Sequence, residues 1–327
     1  MTHKFLTISL LVTVFVACTD DATTHKKISY EPQKVVNVPV FNGDSAYQFV
    51  AEQVAFGPRV PNTAAHAQCA DYLSTKLTEY GADVIVQQAV VTAFDGTPLN
   101  MKNVIGQFKP DLKKRVLLYA HWDTRPFADK DTVRITEPID GANDGGSGVA
   151  VLLEVARHLA DTPTDVGIDI IFFDTEDYGT PEWIEDGDYT DWCLGSQYWA
   201  ANKHKPGYRA KYGILLDMVG SKNAVFNKEG TSMALSPSIV NKVWNAAKEL
   251  GYSDLFREDV TPQTIDDNYF VTQGAGIPSA NIVHYHVNIL PMGYGAFHHT
   301  HQDNMDIISK ETLQKVGQTV MEVIYHE

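Results

Sequence analysis

The chain has 327 residues, 44% of them hydrophobic, and its 41 acidic against 26 basic side chains give a net charge of −15. That balance excludes a nucleic-acid partner, which would need a basic patch for the phosphates. The length suits one large α/β domain, and no internal repeat or low-complexity tract divides it.

Lys4, the apolar run Phe5 to Ala17 and Cys18 have the layout of a secretory signal too short to remain as a membrane span. Residues 1–17 are therefore expected to be a signal peptide and play no part in the fold. Phe15-Val-Ala-Cys18 resembles a bacterial lipoprotein box, although Phe15 stands where leucine is usual. In such boxes the cysteine becomes the new N-terminus and carries acyl chains. The resemblance implies an exported protein, a periplasmic or outer-membrane lipoprotein held to the membrane by lipid on Cys18, with residues 18–40 as a polar tether. In an oxidising compartment Cys69 and Cys193 could join in a disulfide or stay as two buried free thiols, and the sequence leaves both open.

Asp44-Ser45 reads as the cap of an amphipathic helix through Phe49, Val50 and Val54, ended by Gly57-Pro58, and Thr63 caps a second through Cys69, Leu73 and Leu77. Strands are expected at 83–94 and 103–108 around an Asp95-Gly96 turn, then a buried strand from Val116 to Ala120. Gly145 to Gly148 lead into Val149, Leu152, Leu153, Ala156 and Leu159, whose spacing is helical. Further buried strands are expected at 168–173, 212–216 and 278–284, with helices at 193–201, 237–250, 265–273 and 310–325. Strands alternating with helices predict an α/β single domain whose mixed, mainly parallel central sheet carries helices on both faces.

Acids and histidines follow the apolar runs in a fixed order: His121-Trp-Asp123, Asp144 in its glycine-rich turn, Asp174-Thr-Glu176-Asp177, Asp217, and His298-His-Thr-His-Gln-Asp303. Strand ends are where an open α/β sheet collects its ligands, and charge placed there has to be paired or bound to a cation. A lone buried acid is commonly a cap or an ion-pair partner. Five groups in register, His121, Asp144, Asp177, Asp217 and His299, instead form the donor set of a metal site, since zinc takes imidazole nitrogen and carboxylate oxygen and leaves a position open for catalysis. His298 and His301 flank His299 and could replace it by spacing, but the His-Thr-x-x-Asp pattern selects His299. His284 and His286 alternate on a strand and read as structural or pocket-lining. Trp183, Trp192, Phe297 and His298 crowd the site loops and are expected to wall a tight pocket.

These motifs, with Phe56-Gly-Pro-Arg59, resemble the co-catalytic zinc exopeptidases from about Asp44 to the C-terminus, and within them the bacterial branch of the glutaminyl cyclases. The resemblance implies a zinc-dependent catalytic domain over residues 41–327 in which Asp144, Asp177 and His299 hold one Zn2+. Glu176 would shuttle protons, while Asp217 and Asp266 would organise the active-site hydrogen bonds and the leaving group. It also implies a cis Asp144-Gly145 bond. The implied reaction closes the N-terminal Gln of peptides and proteins to pyroglutamate and expels ammonia. The alternative is a secreted zinc aminopeptidase with a two-metal site, in which His121 and Asp217 hold the second ion; with one ion, His121 is a hydrogen-bonded histidine oriented by Asp123. Animal cyclases differ in having Trp at the position of His298 and Glu at that of Asp177. Natural substrates and oligomeric state are not readable from the residues.

Overall fold

The computed structural model describes residues 36–288 and 293–327; the signal segment, Cys18 and most of the expected tether lie outside them. Val36 and Val38 already pack against the core, and Phe41 is buried in it.

Helix α1 (Gly43–Val54) starts two residues earlier than a cap at Asp44 predicts, because the Asn42 side chain rather than Asp44-Ser45 caps it, accepting from the Asp44 and Ser45 amides. Helix α2 (Ala64–Glu79) is capped by Thr63 as expected. Strands β1 (Asp83–Thr92) and β2 (Pro98–Phe108) form an antiparallel hairpin. Strand β3 (Arg115–His121), helix α3 (Gly146–Asp161) and strand β4 (Gly167–Phe173) follow, then α4 (Leu194–Ala201) and β5 (Gly213–Asp217). A small parallel pair, β6 (Phe226–Lys228) and β7 (Phe256–Val260), encloses α5 (Gly230–Leu235) and α6 (Pro237–Glu249). Helix α7 (Asp267–Ala275), strand β8 (Ser279–Val283) and helix α8 (Lys310–Tyr325) complete the chain. The small pair and α5 had no periodic signal, since strands of three and five residues are too short to show one. Helix α7 begins two residues later than expected because Asp266 is its N-cap.

The main sheet runs β1-β2-β4-β3-β5-β8. Strands β4, β3, β5 and β8 are parallel, and only the β1–β2 hairpin is antiparallel to its neighbours. Strand alternation divides the core between the two faces. Val116, Leu118 and Ala120 join one cluster with α1, α3, α6 and α8, and Leu117 and Tyr119 join the other with α4 and α7. Each fully buried aliphatic or aromatic side chain contributes roughly 1.5–3 kcal/mol, so this two-sided burial fixes the strand register. Register in turn aligns the carboxyl ends of β3, β4 and β5, which carry His121, Phe173 and Asp217. Cys69 and Cys193 are both buried and free, so there is no disulfide between them.

Candidate metal centre

His121 ends β3, and Asp144 sits just before α3, joined to Gly145 by a cis peptide bond. A side chain at Gly145 would lie 2.3 Å from the His121 carbonyl oxygen, and one at Gly148 would lie 2.1 Å from that of Leu216. Glycine at both positions lets the first turn of α3 press against the ends of β3 and β5. Behind this turn the Asp303 carboxylate accepts the Asn143 and Asp144 amides at 2.7 and 3.0 Å. Arg59, fully buried, donates to the carbonyls of Asp140 and Gly141. The Phe56-Gly-Pro-Arg59 motif thus acts at a distance, by fastening the loop that carries Asp144.

The loop after β4 is pinned on both sides. Both Asp174 oxygens lie 2.9 Å from His66 Nε2, and one also accepts the Lys102 amide at 2.6 Å. Thr175 takes a left-handed conformation, and the next two amides, of Glu176 and Asp177, donate to Asp123 at 3.1 Å each. Asp123 therefore holds the Glu176-Asp177 backbone. Its distance of 3.6 Å from His121 Nδ1 exceeds hydrogen-bond length, so the expected orienting bond to that ring is not formed.

The donors converge. His299 Nε2 lies 3.3 Å from Asp177 Oδ1 and 3.8 Å from Asp144 Oδ2. Ligands about 2.0–2.2 Å from one tetrahedral zinc ion stand about 3.3–3.6 Å apart, so this spacing suits an ion better than a hydrogen-bonded contact. Both Asp177 carboxylate oxygens are buried with no hydrogen-bond partner. Burial, then the neighbouring Asp144 charge, pushes the Asp177 carboxyl well above its usual range, the signature of an acid that needs a cation to stay ionised. Burial, with His298 and Arg125 adding to it, holds His299 well below the usual histidine value, leaving the neutral imidazole that ligates metals. The residues thus fit zinc. Among the described residues the donors around His299 that all lie within 4.8 Å of one another are Asp144, His298 and His299, so His298 competes with Asp177 for a place in the same centre.

His121 meets the same centre from the other side. Its Nε2 is 3.0 Å from Asp144 Oδ1 and 3.2 Å from Asp217 Oδ1. Burial favours the neutral ring, but Glu176, Asp123, Asp144 and Asp217 together override it and raise its pKa well above the usual value. These carboxylates favour the protonated ring, and the same three groups, His121, Asp144 and Asp217, bring donor atoms within 4.8 Å of one another.

Glu176 faces a cavity of about 270 Å³ walled by Asp144, Asp217, Asp266, Trp192, Tyr294, His298 and His299. Burial pushes its carboxyl well above the usual range, with Asp177 and Asp266 adding to the effect against His121. The Cys193 thiol, on a residue with φ of 56°, points at Glu176 Oε1 from 3.4 Å. Asp266 shares this corner with Glu176 and Cys193 and accepts from Asn281 Nδ2 at 2.7 Å.

Of the four expected pocket residues, Trp192 and His298 line the cavity. The Trp192 indole stacks on the His299 ring at 5.8 Å and 6°, with the Arg125 guanidinium 4.5 Å from its centroid. Lys130 Nζ lies 3.0 Å from His298 Nδ1, and burial plus that cation lowers His298 to about 3, so its ring is neutral and accepts. Trp183 and Phe297 do not line the cavity. Trp183 packs edge-on against Phe127 outside it, and Phe297 packs on His284. Their sequence neighbourhood was right, but the loops turn their rings away.

The sequence did not mark Lys130, Tyr189, Ile265 or Tyr294, all on the cavity wall. Nor did it mark Arg125 and Asp129. Arg125 Nε donates to Asp129 Oδ1 at 2.7 Å, and that oxygen lies 3.6 Å from His299 Nδ1, a buried nitrogen with no other partner. At 3.6 Å no hydrogen bond joins them, but the Asp129 carboxylate faces the ring's second nitrogen, as a carboxylate commonly does at a ligating histidine. The spacing of Arg125 and Asp129 after the His121-Trp-Asp123 motif was the available signal.

An α/β sheet that gathers carboxylates and imidazoles at its strand ends around a zinc-competent centre defines a metal exopeptidase architecture. The chain belongs to peptidase family M28, which it matches over residues 103–324. It is 52% identical to a Zn-dependent exopeptidase of Parabacteroides distasonis, covering 89% of this chain and 100% of that one with a TM-score of 0.87. It is 51% identical to the glutaminyl cyclase of Bacteroides thetaiotaomicron solved with N-acetylhistamine (89% and 100% covered, TM-score 0.87). To the glutaminyl cyclase of Tannerella forsythia it is also 51% identical (88% and 100% covered, TM-score 0.86). Among curated proteins it is 28% identical over 282 residues to the Bacillus subtilis aminopeptidase YwaD. That match covers 82% of this chain but 54% of YwaD, so the chain spans about half of that relative's length.

Proposed function

We propose that the protein is a glutaminyl cyclase that converts the N-terminal Gln of peptides and proteins to pyroglutamate with release of ammonia. The observation that carries this reading is Glu176, a carboxyl whose proton affinity is raised by its surroundings, facing a cavity of about 270 Å³ in a chain about half identical to solved bacterial glutaminyl cyclases.

Asp144, Asp177 and His299 would hold one zinc ion per chain. The chemistry a bound zinc ion supplies is Lewis-acid polarisation of a carbonyl oxygen. Trp192 and His298 confine the glutamine side chain, bringing its γ-carboxamide within reach of its own α-amine and converting the closure into a pre-oriented intramolecular step. The amine nitrogen forms the new bond to the γ-carbon as Glu176 accepts the amine proton. Glu176 then delivers that proton to the departing nitrogen, the carbon–nitrogen bond breaks, and ammonia leaves. Asp217 and Asp266 accept hydrogen bonds from the amine and the leaving nitrogen. His121 lies 3.0 Å from Asp144 and 3.2 Å from Asp217 and holds these two carboxylates in place.

Export, lipidation at Cys18 and attachment to a periplasmic or outer membrane belong to the same proposal and rest on the N-terminal motif. The two-metal aminopeptidase reading is favoured by a single observation, the 3.0 and 3.2 Å approach of His121 to Asp144 and Asp217. One experiment separates the two. Purified protein is given a Gln-initiated dipeptide amide and an ordinary dipeptide, and ammonia, free amino acid and bound zinc are measured. Ammonia release with one zinc per chain, suppressed by chelator, supports the cyclase; free amino acid with two zinc ions overturns it.

A further inference from the structure

The cavity does not end at its mouth. Glu182, Tyr189 and Trp192, which wall it on one side, also wall an adjoining groove of about 450 Å³. Ile184, Glu185 and Asp188 form the rest of the working surface of this groove.

The described residues expose ten large apolar side chains, and three of them line the cavity or the groove: Ile184 (41% exposed), Tyr189 (52%) and Ile265 (42%). Scattered exposed apolar residues need no explanation, but a concentration around one opening marks a contact surface. The groove is also preformed. The Glu182 amide donates to Asp129 at 3.0 Å, and Asp188 and Asp191 close a capping box around Tyr189. A side chain at Gly187 would meet Thr180 at 2.9 Å, so the two ends of the loop lie against each other.

Charge in the groove has one sign. Its titratable side chains other than Tyr189 are Glu182, Glu185 and Asp188. Lys130, the nearby cation, pairs with Glu182 at 3.5 Å and faces His298 on the cavity side.

We propose that this groove receives the two or three residues that follow the N-terminal residue of a peptide substrate, and that it selects peptides carrying an apolar residue next to the first and a basic one after it. The inference rests on the peptide-cyclase reading of the neighbouring cavity. A peptide whose first side chain fills the cavity leaves it past Tyr189, and an extended chain advances about 3.3 Å per residue, which brings the next residues onto Ile184 and between the carboxylates. Tyr189 and Ile265 supply the apolar contact for the second residue, and Glu185 and Asp188 supply the field for the third.

The test compares the Gln-Phe-Lys and Gln-Phe-Glu amides as substrates, and the Ala-Phe-Lys and Ala-Phe-Glu amides, which cannot cyclise, as ligands followed by tryptophan fluorescence. At low ionic strength kcat/KM is expected to be roughly fivefold higher for the lysine peptide, with the same ordering in binding. The ratio should shrink toward one in about 0.5 M salt, where exposed charges are screened. Glu185→Lys should lower the ratio and Glu185→Gln should place it in between. Each ratio is taken on one enzyme, so a general loss of activity cancels. Ammonia release with both ratios within twofold would overturn the groove while leaving the cyclase reading intact. Tighter binding of the lysine peptide without ammonia release from either Gln peptide would support the groove and sink the cyclase reading. Equal binding without turnover would overturn both.

Discussion

Replacing Glu176 by glutamine tests the proposed chemistry most directly, because glutamine keeps the side chain's shape and removes only its ability to exchange a proton. The carboxyl is half-buried, and its close polar neighbours are the Cys193 thiol at 3.4 Å and the His121 ring at 3.8 Å. Neither is a strong hydrogen bond to an ionised oxygen, so the substitution removes little folding energy. Nothing in the donor triad of Asp144, Asp177 and His299 is altered. A positioned acid–base group contributes about 10²–10⁴ in rate, which at about 1.4 kcal/mol per decade is roughly 3–5.5 kcal/mol of barrier. Glu176→Gln should therefore lower kcat for a Gln-initiated peptide amide by about 10²–10⁴ with KM changed by less than a few-fold, since cavity shape is retained. The assay is continuous ammonia release, with zinc content and melting temperature measured on the same preparations. A variant that keeps more than a tenth of wild-type kcat with its zinc in place would refute the role of Glu176. A loss of activity that tracks loss of zinc would show instead that Glu176 supports the metal centre.

Four further outcomes are expected. Asp129→Asn should weaken zinc retention about 10–100-fold in competition with a chromogenic chelator, because the His299 ring loses the negative charge facing its second nitrogen from 3.6 Å; unchanged affinity would remove Asp129 from the centre. Asp169→Ala, at the far end of β4, should destabilise the fold by about 3–5 kcal/mol in urea titrations, because the Arg115 guanidinium bound to it at two points of 2.6 Å would be left buried and unpaired; activity per folded molecule should not change. Burial lowers His204 and His284 to about 4, and both accept hydrogen bonds at Nδ1 as neutral rings. Their folded values lie below the unfolded one of about 6.5, so the stability they contribute is complete above about pH 6.5 and is lost as pH falls toward 4, with unfolding taking up between one and two protons near pH 5; a flat stability between pH 7 and 5 would contradict this. Cys18→Ser should move the protein from the membrane fraction to the soluble one and abolish labelling with a fatty-acid analogue; membrane attachment that survives the change would rule out the lipid anchor.

Much of the architecture was legible because its signals are local. The runs 116–120 and 168–173 are buried on both faces of the sheet, and such nearly continuous apolar runs survive in a one-dimensional reading. Thr63 and the glycines before Val149 similarly announce helix starts through groups only a few residues away. Asn42 was missed as a cap because Asp44 and Ser45 have the same chemistry two positions on, and only the backbone angles decide between them. Within the site, the resemblance to known motifs brought Asp144, Asp177, His299, Glu176, Asp217 and Asp266 together, and the structure lines one cavity with five of them and sets the sixth, Asp177, 3.3 Å from His299.

The sequence by itself determined the order of the main-sheet strands and of the helices other than α5, the residues at the strand ends and their donor chemistry, because these depend on neighbours within one or two turns of chain. The tertiary structure alone decided which aromatic rings wall the cavity, turning Trp192 onto His299 and Trp183 outward onto Phe127. It alone turned Asp123 from the His121 ring to the Glu176 and Asp177 amides. It also brought Lys130 against His298 across 168 residues, and Asp303 under the Asp144 amide across 159. Such contacts are set by how loops close over a finished sheet, and no pattern of neighbouring residues encodes that closure.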